Sequence, residues 1–226
     1  MQGQRAKLEW RDGDVPVSQL FDDPYYSLEN GLDETRHVFL AGNGLPDRFR
    51  DGFAIAELGF GTGLNALTTC QAWRAAGAPG VLRFTSFEAF PMAAEDMARA
   101  LAHFPELADL AAPLVAGWAA GARDIALPGN MQLQVIEADA RDGLPGWEGR
   151  ADAWYLDGFS PAKNPELWGP DLLQAVYDHS APGGTLATYT AAGFVRRGLA
   201  DAGFEVSRVS GYGRKRHMTV ARNPST

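Results

Sequence analysis

The chain has 226 residues, 46% of them hydrophobic, and its 20 Lys and Arg against 28 Asp and Glu give a formal charge of −8. These values fit a single domain spanning 1–226, with a core of its own, and they exclude a disordered chain. The single cysteine, Cys70, excludes an internal disulfide framework and a multi-cysteine zinc site. The acidic balance, taken as a whole, argues against nucleic acid as a partner.

Targeting and membrane signals are missing from the sequence. The N-terminal residues contain no apolar segment of the kind found in a secretion signal. The most apolar stretch, Pro113 to Ala122, is far shorter than the roughly 20 residues needed to cross a bilayer. We therefore expect a cytoplasmic protein that makes no contact with a membrane.

The chain begins with a polar, turn-rich region, and strands alternate with helices after it. We predict that residues 1–50 form an extension packed on the main domain. The pattern predicts seven strands, at Ala54–Leu58, Leu82–Phe87, Met131–Ile136, Ala153–Leu156, Thr185–Tyr189, Phe204–Val209 and His217–Ala221. It predicts four helices, at Leu64 to about Ala76, at a segment whose first turn carries Pro91, at about Pro165 to His179 and at Phe194–Ala202.

These elements predict an α/β fold with a doubly wound, mostly parallel seven-stranded sheet. The last two strands are joined by a loop alone, so the last strand is expected to be antiparallel. The turn Pro182-Gly183-Gly184 is predicted to separate the third helix from the fifth strand. About residues 105–130 are too many for a simple connection, and Pro128-Gly129-Asn130 predicts a small inserted hairpin there.

A glycine-rich loop follows the first strand of the sheet, with glycines at 59, 61 and 63. A dinucleotide-binding loop would have its third glycine at 64, and a phosphate-binding Walker loop would need a lysine near Asn65. The loop contains no basic residue, and Glu57 just before it repels phosphate and suits a cation. S-adenosylmethionine carries a sulfonium and an amino group without phosphate, so the loop resembles the first motif of class I methyltransferases. A plain tight turn is the alternative.

Acidic residues follow the next two predicted strands. Glu88 stands where this fold class places a carboxylate on ribose hydroxyls, and Asp139 stands where an acid commonly meets the adenine amino group. Either acid alone could be a solvated turn residue, but acids on three consecutive strand ends favour a cofactor site. The predicted cofactor-binding residues are Glu57, Gly59, Phe60, Gly61, Gly63, Asn65, Glu88, Asp139, Ala140 and Asp157.

The fourth predicted strand runs into Asp157-Gly158-Phe159-Ser160-Pro161. This segment resembles in kind the Asp/Asn-Pro-Pro-Tyr loop of amino-group methyltransferases, with Asp157 holding the amine and Phe159 packing beside it. An alkyl amine is mostly protonated at neutral pH, and a partly desolvated carboxylate can attract it, orient it and receive its proton. A turn-capping aspartate is the alternative for Asp157.

Taken together, these motifs resemble the methyltransferase half of the bifunctional enzymes that make 5-methylaminomethyl-2-thiouridine in tRNA. The matching segments cover nearly the whole chain; they are 21–27, 31–36, 38–43, the glycine loop through Asn65, 157–165 with Trp168, 192–197 and 211–216. The resemblance implies a Rossmann-like class I fold, with S-adenosylmethionine methylating the amine of the wobble nucleoside and Asp157 as the catalytic residue. The implied substrate-binding residues are Asn43, Phe159, Lys163, Arg214, Lys215 and Arg216, the last three toward phosphates.

The sequence departs from that family in two places. The family usually has Gly-x-His-Arg in the inserted region, where this chain has Gly121-Ala122-Arg123-Asp124. The fused enzymes continue into an FAD-dependent oxidase, and this chain ends at Thr226, so we expect a stand-alone enzyme or a fragment, with the oxidase as a separate or fused partner. The four histidines lack ligand spacing, and neither flavin nor metal is expected to bind.

The charge is unevenly distributed, which qualifies the argument against nucleic acid. Residues 193–226 contain seven basic and two acidic residues, so the remainder of the chain is strongly acidic. A basic C-terminal segment permits contact with tRNA. Three alternatives stay open from sequence: methylation of a small-molecule amine, an NAD(P)-dependent oxidoreductase, and a non-catalytic tRNA-binding module.

Overall fold

A computed structural model describes residues 5–11, 14–27 and 30–224 of the chain. Positions 1–4, 12–13 and 28–29 of the predicted extension, and 225–226, lie outside the described residues. The strands, in chain order, are β1 (Leu8–Arg11), β2 (Val15–Ser18), β3 (Asp23–Pro24), β4 (Ala54–Leu58), β5 (Leu82–Phe87), β6 (Asp124–Leu127), β7 (Met131–Ile136), β8 (Ala151–Leu156), β9 (Ser180–Thr188), β10 (Glu205–Ser210) and β11 (His217–Arg222). The α-helices are α1 (Gly31–Thr35), α2 (Leu64–Ala76), α3 (Ala94–Leu101), α4 (Ala108–Ala119), α5 (Ala140–Gly143), α6 (Pro170–Asp178) and α7 (Gly193–Ala202).

The main sheet confirms the predicted doubly wound fold. Its strand order is β10-β11-β9-β8-β4-β5-β7-β6, and the five central strands β7, β5, β4, β8 and β9 are parallel. β11 is antiparallel to both of its neighbours, as predicted for the last strand. The sheet has eight strands among the described residues rather than seven, because the inserted hairpin adds β6 to the free edge of β7.

Helices cover both faces of this sheet, so the central strands are buried on each side. Successive side chains of a strand point to opposite faces. On β8, Ala153 and Tyr155 therefore pack with α2 and α4 in one core cluster. Trp154 and Leu156 pack with α6 and α7 in the other. This arrangement leaves the carboxyl ends of the parallel strands open to form a site.

Three predicted boundaries differ most from the structure, and those of β8, β10, β11 and α7 differ by one or two residues. The strand predicted to begin at Thr185 already begins at Ser180, because the glycines and proline between them sit in an irregular part of the pairing with β8. The helix predicted from Pro165 divides into a 3₁₀ turn, Pro165–Trp168, and α6, since the Gly169-Pro170 pair interrupts helical hydrogen bonding. Pro91 precedes α3 and is not in its first turn.

The extension contains more regular structure than its polar composition predicts. It forms a three-stranded antiparallel sheet, β1-β2-β3, and then α1 with a π-helical turn, Arg36–Leu40. The buried ring of Phe39 stacks on Tyr155 of β8, with ring centroids 5.1 Å apart. The extension is thus part of the core, as well as of the surface. No helix among the described residues is long and apolar enough to cross a membrane.

Candidate active site

A cavity of about 1100 Å³ lies at the carboxyl ends of the parallel strands. One side is formed by residues that directly follow β4, β5, β7, β8 and β9, and the other by the extension. Its volume is slightly above the range of small-molecule sites, which is about 300–1,000 Å³. The cavity therefore has room for a nucleoside-sized ligand beside a reacting group.

The glycine loop forms the floor of the cavity after β4. Gly59 and Gly61 line it, with φ values of +90° and +55°, a backbone region that side-chain-bearing residues avoid. A Cβ atom at position 59 would lie 2.2 Å from the carbonyl oxygen of Asp157. Gly63 lies behind the cavity wall, where a Cβ atom would lie 2.8 Å from Leu114. At Gly59 and Gly61 the loop therefore presents backbone without a Cβ atom to the cavity.

Glu57, which is predicted to bind the cofactor, lies beneath the cavity floor and does not line the cavity. Its side chain is fully buried, with one oxygen accepting from Asn65 Nδ2 (2.8 Å) and the other from Ser86 Oγ (2.7 Å). Burial, together with the charge of Asp157, raises the pKa of Glu57 well above its usual value. Its connection to the cavity runs through Asn65.

Glu88 lines the cavity after β5 and binds the backbone of the neighbouring loops. Its carboxylate accepts from the N–H of Gly61 (2.9 Å) and from the N–H of Phe90 (2.7 Å). Burial raises the pKa of Glu88, and these backbone donors oppose the rise. Each carboxylate oxygen has a further lone pair, so Glu88 can still accept from a ligand hydroxyl.

Asp139 and Ala140 line the cavity after β7, where Asp139 caps α5. Arg141 binds both oxygens of this carboxylate, with Nε–Oδ1 at 3.0 Å and Nη2–Oδ2 at 2.6 Å. The hydrogen bonds and charge of Arg141 lower the pKa of Asp139. Arg141 also reaches Glu166, 2.6 Å away. Asp139 therefore remains an ionised acceptor at neutral pH.

Asp157 lines the cavity directly after β8. Its Oδ2 accepts from Asn65 Nδ2 at 2.6 Å, and no side chain or backbone group in the described part of the chain binds Oδ1. Burial raises the pKa of Asp157 to about 7. The Asn65 hydrogen bond and the charge of Lys215 limit this rise, and the charge of Glu34 adds to it. A carboxyl group with this pKa can exchange a proton near neutral pH.

Lys215 lies on the cavity wall between an acid and an aromatic ring. Its Nζ is 2.8 Å from Glu34 Oε1 and 4.2 Å from the ring centroid of Tyr189. The Tyr189 hydroxyl donates to the carbonyl of Gly158 at 2.6 Å. Sequence reasoning missed Tyr189 and Glu34; Tyr189 could have been found as the residue that follows β9, but Glu34 carries no such positional signal.

The loop after β8 is held by the extension. The Phe159 ring stacks on Phe21 at 4.7 Å. Lys163 binds the carbonyl of Asp22 and lies 3.6 Å from a carboxylate oxygen of Asp23. Both Phe159 and Lys163, which are predicted to bind substrate, line the cavity, and each already has a partner in the extension.

The structure brings most of the predicted site residues to this one cavity. Those that line it are Gly59, Phe60, Gly61, Asn65, Glu88, Asp139, Ala140, Asp157, Phe159, Lys163, Arg214 and Lys215.

Four predicted residues lie elsewhere, namely Glu57, Gly63, Asn43 and Arg216. Arg216 is exposed outside the cavity. Asn43 is buried, with Nδ2 donating to the Phe39 carbonyl (2.9 Å) and Oδ1 accepting from Thr185 (2.6 Å), so it stabilises the core instead of facing a ligand. Within the described residues, no group of three or more His, Cys, Asp or Glu could hold a metal ion.

Known proteins resemble this chain over nearly its whole length. The tRNA 5-methylaminomethyl-2-thiouridine biosynthesis bifunctional protein MnmC of Pseudomonas paraeruginosa is 49% identical over 95% of the chain, which covers 34% of that protein. The protein of the same name from Caulobacter vibrioides is 48% identical over 97% of the chain, which covers 38% of it. The chain thus spans little more than a third of the length of these relatives.

Solved structures show the same fold. The crystal structure of MNMC2 from Aquifex aeolicus has a TM-score of 0.71 and 24% identity, covering 100% of this chain and 72% of that chain. A sequence profile described as S-adenosyl-L-methionine-dependent methyltransferase matches residues 105–224, more than half of the chain. Together with the doubly wound sheet and the cavity at its carboxyl edge, this match shows that the chain belongs to the S-adenosyl-L-methionine-dependent methyltransferase family.

Proposed function

We propose that this chain methylates the primary amine of 5-aminomethyl-2-thiouridine at the wobble position of tRNA. The observation that carries the proposal is Asp157, which lines the same cavity as Glu88 and Asp139 and whose Oδ1 accepts no hydrogen bond from the described residues. The named relatives support the choice of substrate, because their names refer to biosynthesis of the methylated nucleoside and their identity extends over at least 95% of the chain.

The cavity fits S-adenosylmethionine in charge and in shape. The backbone at Gly59 and Gly61 carries no side chain that would fill the floor, and the ionised Asp139 and the buried Glu88 supply acceptors. In our proposal, Glu88 accepts from the ribose hydroxyls and Asp139 lies by the adenine, with Ala140 beside it. The bound cofactor supplies an electrophilic methyl group on a sulfonium.

Asp157 is proposed to prepare the amine. The substrate arrives mostly as an ammonium ion, which has no lone pair for the methyl carbon. Asp157 Oδ1 attracts and orients this group and accepts its proton, and a carboxyl pKa of about 7 suits that exchange. Holding the neutral nitrogen in line, about 3 Å from the methyl carbon, then lowers the entropic part of the barrier.

The nucleoside must leave the anticodon stack to reach the cavity. The loop between β10 and β11 places Arg214 and Lys215 at the cavity and Arg216 beside it. We propose that these cations contact tRNA phosphates, and that Phe159 contributes to the base pocket. A flavin-dependent oxidase, fused or separate, is proposed to supply the amine, since the relatives are bifunctional proteins of greater length.

Labelled S-adenosylmethionine, incubated with the protein and hypomodified tRNA and followed by nucleoside analysis, tests this function. We expect label in 5-methylaminomethyl-2-thiouridine and none when fully modified tRNA is used. Transfer to free small amines with none to tRNA would instead support a small-molecule methyltransferase. Calorimetric titration with S-adenosylmethionine and with NAD(P)H tests the oxidoreductase alternative, and binding of tRNA without transfer would indicate a non-catalytic module.

A further inference from the structure

We propose that Asn65 is a positioning residue, whose side-chain amide holds Asp157 in one orientation by joining it to the buried Glu57. The sequence predicts that Asn65 binds the cofactor directly. The structure instead gives both amide hydrogens and the amide oxygen of Asn65 partners within the protein. The role in catalysis rests on the proposed function, whereas the network itself can be measured without any substrate.

Both hydrogens of the Asn65 amide nitrogen are engaged. Nδ2 donates to Glu57 Oε1 at 2.8 Å and to Asp157 Oδ2 at 2.6 Å. Oδ1 accepts from the hydroxyl of Thr35 at 2.9 Å. A primary amide has two donor hydrogens, so no Nδ2 hydrogen is left for a cofactor. The two acids identify which end of the amide is the nitrogen, because their oxygens accept there, whereas the Thr35 hydroxyl could bond to either end.

The partners of Asn65 stand on rigid elements. Glu57 belongs to the central strand β4, and its second oxygen accepts from Ser86 on β5. Asn65 lies in the first turn of α2 and is buried. The amide is therefore fixed by two strands and a helix, whereas Asp157 begins a loop. With Oδ2 held in this way, Oδ1 is the oxygen of Asp157 that stays available to a ligand in the cavity that this residue lines.

Other ionisable groups also face Asp157, and they must stay unchanged for a test to report on Asn65. Glu57 lies beyond the amide, Lys215 and Glu34 form a pair across the cavity, and Tyr189 follows β9. Substitutions at Asn65 or Thr35 alter none of these side chains. Asn65→Leu also removes the donor to Glu57, so a change in the titration of Asp157 that both variants share would come from the amide.

Asn65→Leu removes both donors at similar volume, and Thr35→Val removes only the hydroxyl that orients the amide. Thr68→Val is the matched control, because Thr68 is also buried and its hydroxyl bonds the Leu64 carbonyl within α2. We expect Asn65→Leu to lower kcat about 10- to 100-fold, as for a misplaced reacting group. Thr35→Val should cause a smaller loss in the same direction. Thr68→Val should leave kcat unchanged.

The second readout is the pKa of Asp157, followed by carboxyl ¹³C NMR with Asp157→Asn to assign the signal. Loss of the Asn65 donor should raise this pKa above that of the unmodified protein, since the hydrogen bond lowers it. Binding of S-adenosylmethionine should change little, as Asn65 has no donor to spare. Wild-type kcat and wild-type Asp157 titration in the folded variants would overturn the proposal.

The two proposals can fail separately. If the unmodified protein transfers no methyl group to tRNA, the proposed function fails, and the NMR titration still decides the role of Asn65. If Asn65→Leu does not fold, Thr35→Val decides alone, because it keeps both donors to the buried acids and releases only the amide oxygen. Loss of S-adenosylmethionine binding with unchanged Asp157 titration would return Asn65 to a cofactor role and overturn this inference.

Discussion

The carbonyl oxygen of Asp157 lies against the Cα of Gly59, in the space where any other residue would carry its Cβ. The loop proposed to hold the cofactor and the residue proposed to hold the amine therefore touch through backbone alone. The N–H of Asp157 donates in turn to the carbonyl of Leu58, 3.1 Å away. The relative position of the two loops is set by main-chain packing, before any ligand binds.

Gly59→Ala should damage both folding and cofactor binding. The substitution adds the cost of a positive φ and a 2.2 Å contact with backbone. Gly77→Ala is the matched control, because Gly77 also has positive φ, +60°, but no atom lies within 4 Å of a Cβ there. We expect a decrease of about 1–2 kcal/mol in unfolding free energy for Gly77→Ala and a larger decrease for Gly59→Ala, measured by urea denaturation. Equal decreases would contradict the close approach.

Asp157→Ala should separate binding from turnover. We expect S-adenosylmethionine affinity to stay within about threefold and kcat to fall by about 10²- to 10⁴-fold, the usual contribution of a positioned acid or base. Calorimetry and single-turnover transfer to hypomodified tRNA measure the two quantities. Turnover that survives within about threefold would remove Asp157 from the mechanism.

The pH profile of methyl transfer should report the charge of Lys215. Below a pH of about 7, Asp157 is protonated and cannot accept a proton, so kcat/KM should fall as the pH decreases. Lys215→Met removes a cation that lowers this pKa and leaves Glu34 unpaired, so the acidic limb should move to higher pH. Arg222→Met, at the opposite end of β11, is the control. An unmoved limb in Lys215→Met would argue against the coupling.

Arg214→Met with Arg216→Met should weaken tRNA binding, while Lys215 is kept so that the chemistry near Asp157 is preserved. For every phosphate that the double variant no longer neutralises, the slope of log K against log salt should decrease by about 0.7–0.9. Filter binding between low and moderate salt measures this slope, with Arg222→Met as a control for removal of a cation elsewhere. An unchanged slope would place the phosphate contacts on another surface.

The central part of the fold could be predicted from sequence because turn-forming residues flank its strands. β4 is a mostly apolar run that ends at the glycine loop, and β5 spaces leucine and phenylalanine between polar residues and ends shortly before Pro91; the observed bounds of both strands equal the predicted ones. The predicted start of β9 is wrong, because a strand can absorb Pro182-Gly183-Gly184 in an irregularity that only the pairing partner reveals. The sequence pattern predicts no helix at α4, because the apolar residues there fall within the predicted insertion.

The sequence could predict only those residues of the site that stand at the ends of strands. Glu88, Asp139 and Asp157 each follow a parallel strand, so their convergence follows from topology. The role of Asn43 depends on Thr185, which is distant in sequence and near only in the folded chain. Similarly, nothing in the sequence shows that both oxygens of Glu57 are occupied by protein donors and that the acid lies beneath the floor.

The extension has a consequence for how the site is assembled. Asp23 accepts from the N–H of Ser160 at 2.8 Å, Phe21 covers Phe159, and Thr35 orients Asn65. A protein shortened to begin at residue 51 would keep every strand of the main sheet and lose one wall of the cavity. Opening of the extension would expose the loop after β8 together with the side chain of Asn65. Exchange of backbone amide hydrogens in that loop and in the first turn of α2 should therefore slow when a ligand binds. We therefore expect the described part of the extension to couple ligand binding to local folding.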